Sequence, residues 1–120
     1  MSDPQNGLNQ ILEDRLRLGA GFGAEDRDHV LELLAPLSRH LAHWGAGRVD
    51  LEISVKDRGG AEQKVTLETW LPGWPSLVAT STGHELDPSL IDVRKDTIRQ
   101  IEDEKAKRDL HKGKASRRGA

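Results

Sequence analysis

The chain has 120 residues, 35% hydrophobic and 32% charged, enough for one domain with a modest core and too few for two. It contains no cysteine, which removes disulfide frameworks, thiolate metal sites and cysteine nucleophiles together. No stretch approaches the run of about 18 apolar residues that a membrane helix needs, and the opening MSDPQNG lacks the basic and apolar regions of a secretion signal, so a cytoplasmic protein is expected. The net charge of −2 is unevenly placed. Residues 105–120 hold seven basic side chains against Asp109 alone, a net +6, so the first 104 residues carry eleven basic and nineteen acidic side chains, a net −8. A basic tail on an acidic body points to a polyanion partner or to a solubilising terminus, and composition leaves both open.

Residues 1–13, polar at first with Pro4 and Gly7, read as a disordered lead-in. Leu16 and Leu18 alternate with Arg15 and Arg17 before glycines at 19, 21 and 23, which predicts a short strand from about Asp14. The acidic residues Glu25, Asp26 and Asp28 then favour a helix N-terminus, and Val30, Leu33, Leu34, Leu37, Leu41 and Trp44 recur at helical spacing. Pro36 lies inside this helix and predicts a kink. From Val49 to Lys56 apolar and polar residues alternate strictly, and Val65, Leu67 and Thr69 repeat the pattern after an Arg58-Gly59-Gly60 loop. Leu71-Pro72-Gly73-Trp74 has the proline and glycine of a type II turn, so a strand from Leu77 to Thr82 folds back antiparallel. Asp87-Pro88 opens a second helix with Leu90, Ile91, Ile98 and Ile101 on one stripe, expected to run to about Leu110.

The order strand, helix, three strands, helix gives an α+β fold: a two-layer βαβββα sandwich with a four-stranded mixed sheet and both helices on one face. Residues 14–104 form the domain, and 105–120 a basic helix extension and tail.

Candidate chemistry is thin. Gly19 to Gly23 follows a strand, but its spacing fits neither a dinucleotide fingerprint nor a P-loop, and the acidic residues after it would repel phosphate. His40 and His43 lie one turn apart without a third ligand pattern. The serines at 38, 54, 76, 81 and 89 have no nucleophile-elbow context. No catalytic constellation, cofactor or metal is expected, and the protein reads as a non-enzyme. Trp70 and Trp74 flank the Pro-Gly turn, where they stack on bases, pack on a protein, or close the sheet end over the helices. The cations suited to phosphate are Arg94, Lys95 and Arg99 on the second helix, then Lys105, Lys107, Arg108, Lys112, Lys114, Arg117 and Arg118 beyond it.

Several short motifs occur in a telling order: Leu71-Pro72-Gly73, Leu77-Val-Ala79 with Gly83, Ser89-Leu-Ile91-Asp92, then Asp96-Thr-Ile98. In that order the chain resembles the ribosome hibernation promoting factor family, which includes ribosome-associated inhibitor A, through segments similar to its LPGG, LxAxxxG, AAID and DKL. The resemblance spans about Leu16 to Lys114. It departs where Pro88-Ser89 replaces a tyrosine-containing helix start and where Thr97 and Gln100 stand at positions commonly basic, with Glu102 to Glu104 diluting the cationic face. What it implies is a factor that binds the small ribosomal subunit and its ribosomal RNA across the messenger and transfer RNA sites and inhibits translation in idle ribosomes. The protein is expected to be monomeric when free, with no membrane or small-molecule partner, and residues 1–120 are not expected to pair ribosomes. A general RNA-binding module, a protein adaptor and a small metallohydrolase built on His40 and His43 are the competing expectations.

Overall fold

Strict alternation over Asp50–Lys56 (β2) places Leu51, Ile53 and Val55 on one side of a strand, and all three are buried. The computed structural model describes residues 4–119, with side chains over 10–45 and 47–109. Gln63–Trp70 (β3) and Leu77–Gly83 (β4) continue from β2 as an antiparallel meander, and Leu16–Leu18 (β1) joins the other edge in parallel, giving the order β1-β2-β3-β4. The register aligns Leu16, Leu51, Thr69 and Leu77 in one cross-strand row and Leu18, Ile53, Leu67 and Ala79 in the next. These rows form the core face. The opposite face carries the rows Arg17, Glu52, Glu68, Val78 and Ser54, Thr66, Thr80, which apart from the exposed Val78 suit water.

Helices cover only the apolar side. Leu86–Gly119 (α4) lies over β3 and β4, and Arg27–Leu34 (α2) packs beside it. The α+β sandwich expected from the sequence is therefore the fold. The helix expected after Ala24 is jointed rather than smoothly kinked: a 3-10 turn at Ala35–Leu37 separates α2 from the short Ser38–Leu41 (α3). Pro36 has no amide hydrogen to donate to the preceding turn, and the joint keeps Leu34, Leu37 and Leu41 all buried. The last helix starts at Leu86, one residue before the expected Asp87 cap.

The disordered lead-in expected over residues 1–13 needs correction from residue 4 onward, residues 1–3 lying outside the described residues. Pro4–Arg15 (α1) is a helix that contacts α2 and α3, and its Ile11 and Leu12 belong to the buried core. Leu8, Ile11 and Leu12 have i, i+3, i+4 spacing, but three apolar positions after Pro4 and Gly7 form a weak local signal. Tertiary contact supplies the rest. The predicted strand accordingly begins at Leu16 instead of Asp14.

Two glycines are required by geometry. The β1–β2 pairing continues beyond Leu18, since the Gly19 amide donates to the Ile53 carbonyl (2.7 Å) and the Val55 amide to the Ala20 carbonyl (2.8 Å). Gly21 then turns with φ +87°, and a Cβ there would overlap the Val55 carbonyl oxygen. Gly73 has φ +78° in the Leu71–Trp74 turn, where the Trp74 amide donates to the Leu71 carbonyl (3.1 Å), as a type II turn requires.

Two ion pairs tie together elements distant in sequence. Arg58 forks onto both carboxylate oxygens of Asp26 (2.7 and 2.9 Å), which holds the Asp26 carboxyl well below the usual range, and the Gly23 amide lowers it further. His29 Nε2 lies 2.8 Å from Asp87 Oδ1, joining α2 to the first turn of α4, and this hydrogen bond raises the His29 pKa above its ordinary 6.5. Protonation is thus favoured in the folded state. That stabilisation is complete below pH 6.5 and disappears as pH rises through the higher folded value. Thermal midpoints should fall slightly as pH rises toward 8, and His29→Gln should flatten the change; equal slopes for both proteins would show that the pair contributes nothing.

Candidate nucleic-acid interface

The 34 residues of α4 span about 50 Å at 1.5 Å per residue, longer than the sheet needs. Leu90, Val93, Thr97 and Ile101 form its buried stripe. One turn further, Lys105 and Arg108 occupy the same row, so helical periodicity aims two cations where core residues would otherwise continue. Two tryptophans meet them there. Trp44 comes from the turn that follows α3 and Trp74 from the Pro-Gly turn, and their rings form an edge-to-face pair with centroids 5.0 Å apart at 84°. Lys105 Nζ stands 5.6 Å from the Trp44 ring centroid and the Arg108 guanidinium 5.0 Å from that of Trp74. His43 adds a third ring, 5.2 Å from Trp44 and perpendicular to it. Arg108 also donates to the Gly73 carbonyl (3.2 Å) and faces Glu104 (3.4 Å), which fixes the helix over the turn.

The other predicted cations do not form a single face with these. Arg94 is half-buried and donates to the Leu33 carbonyl (2.8 Å), linking α4 to α2. Arg99 pairs with Asp96 on its own helix. Lys95 and Lys107 are exposed and make no ion pair among the described residues. The α4 backbone continues to Gly119, but the side chains of Lys112, Lys114, Arg117 and Arg118 lie outside the described residues.

Trp70 and Trp74, neighbours in sequence, are separated by the fold. Trp70 is on the open sheet face with the Arg17 guanidinium 5.6 Å from its ring centroid, whereas Trp74 packs against the core on the helix side. Trp44 is the residue that sequence reasoning missed as a site. Its helical spacing marked it as core, which it touches, whereas its pairing with Trp74, thirty residues on, has no local signal.

The histidines are dispersed. His40 Nδ1 stands 3.9 Å from Glu102, His43 meets Trp44, and His29 meets Asp87. Among the described residues no group of three or more histidine, aspartate or glutamate side chains is placed to hold a metal ion. At the glycine loop the Gly23 amide already donates to Asp26 (2.8 Å), so that position is occupied by the protein's own carboxylate. No helix among the described residues is long and apolar enough to cross a membrane.

No family model matches the sequence, and no curated protein does. Among solved structures, the chain is similar to the N-terminal domain of Protein Y from Thermus thermophilus, with a TM-score of 0.57 and 16% identity over 72% of this chain and 94% of that one. The likeness is one of backbone architecture: this chain has the fold of the Protein Y N-terminal domain.

Proposed function

We propose that this protein is a ribosome hibernation factor, a non-enzymatic protein that binds the small ribosomal subunit across the messenger and transfer RNA sites and keeps idle ribosomes inactive. Two observations support this reading. The order of short motifs from Leu71 to Ile98 resembles the hibernation promoting factor family, and the fold match to Protein Y, made on backbone geometry, supports the same family. The observation that carries it is the final helix: α4 is anchored by Leu90, Val93 and Ile101, then continues past the core through the net +6 segment.

The chemistry is that of occlusion. Cations on a helix meet RNA phosphates and release counterions, and the folded body behind them fills the space that substrates of translation would use. The protein acts as a monomer and leaves ribosomes unpaired.

Sedimentation tests the proposal. With vacant ribosomes in excess at low salt, the protein should move with the small subunit or whole ribosomes, lower cell-free translation and give no ribosome dimers. Protein remaining at the top of the gradient would refute the proposal. Isolated RNA competing as well as ribosomes would instead identify a general RNA-binding module.

A further inference from the structure

We infer that Trp44 and Trp74, with Lys105 and Arg108, form a stacking site for an unpaired base of single-stranded RNA; the inference rests on the RNA-binding reading above and gives it a specific contact. Both indoles are only half-buried, although each packs against the core. An edge-to-face pair leaves ring surface outside the contact, and at this site that surface faces cations. Lys105 and Arg108 stand where the buried stripe of α4 would place apolar residues if the only task were to close the end of the core.

An indole face satisfies none of the hydrogen-bond donors of an ammonium or guanidinium. Lys105 has no ion-pair partner among the described residues, while Arg108 directs Nη2 to Gly73 and Nε toward Glu104, leaving Nη1. The site therefore offers aromatic surface and unsatisfied cationic donors side by side. A nucleotide presents the matching pair, a π face and, a few ångströms away, a phosphate. A base sliding onto the ring would displace the cation toward that phosphate, so stacking and charge pairing reinforce each other. Duplex RNA hides its base faces in the helix, and an acidic peptide would use the cations without the indoles. Single-stranded RNA uses both.

The test uses the full chain carrying Trp70→Phe, so that indole emission reports Trp44 and Trp74 alone. A short oligoadenylate should quench this emission saturably, whereas an abasic strand of equal length, with phosphates but no bases, should not. Trp44→Leu and Trp74→Leu should each weaken oligoadenylate binding roughly ten- to a hundredfold, the range for loss of one stacked base, with circular dichroism unchanged. Should either leucine variant misfold, acrylamide accessibility in the Trp70→Phe protein decides the matter: oligoadenylate should shield the indoles and the abasic strand should not. Equal responses to the two strands, or unchanged affinity in a folded leucine variant, would overturn the stacking site. Ribosome co-sedimentation without a base-dependent response would discard this site and leave the hibernation reading standing. The reverse result would keep the site and discard hibernation.

Discussion

Replacing Leu12 with alanine is expected to destabilise the domain by about 2–5 kcal/mol, the usual cost of truncating a buried leucine. Leu12 is 1% exposed and belongs to the same core cluster as Leu16, Leu34, Leu37 and Leu41. Its helix, α1, also contacts α3, which ends three residues before Trp44. The substitution should therefore lower the urea midpoint and loosen the aromatic site together. Glu13→Ala, an exposed neighbour, should change stability by no more than about 0.5 kcal/mol. Comparable midpoints for Leu12→Ala and the unmodified protein would mean that the N-terminal helix contributes nothing to the core.

Deleting residues 110–120 should leave the domain folded and make ribosome binding much less sensitive to salt. The deletion removes Lys112, Lys114, Arg117 and Arg118 and no acidic residue, a loss of +4. It spares Leu90, Val93 and Ile101, and also Lys105 and Arg108 on their indoles. If all four cations meet phosphates, the log–log salt slope becomes shallower by about 3, at about 0.7 per contact. Between 50 and 200 mM salt the full chain should then lose roughly 50-fold more affinity than the shortened one, on the same per-contact slope. Sedimentation across that salt range, with circular dichroism as the folding control, measures the difference. Identical slopes would show that the tail acts only as a solubilising terminus.

The meander was legible because β2 and β3 repeat with period two and because proline and glycine at 72 and 73 permit one turn geometry. The uneven charge was equally plain, since charge is a sum over residues and does not depend on where the chain goes. The motif order from Leu71 to Ile98 belongs to the same class of local information.

Other features depend on what packs beside a residue. Alpha1 has little amphipathic signal of its own, and Ile11 and Leu12 become core only because α2 and α3 lie against them. Arg94, Lys95 and Arg99 looked like one cationic set, yet α2 presents the Leu33 carbonyl to Arg94 and Asp96 takes Arg99, leaving Lys95 exposed. Trp70 and Trp74 are four residues apart and end on opposite faces of the sheet, while Trp44 and Trp74, thirty apart, meet edge to face. By itself the sequence determined the four strands, the helices from Arg27 onward in outline, their order and the overall charge, because these follow from short-range periodicity and composition. The aromatic and cationic site was decided by tertiary structure, because the layer packing that brings the turn after α3, the Pro-Gly turn and the outer half of α4 together joins residues that no local period relates.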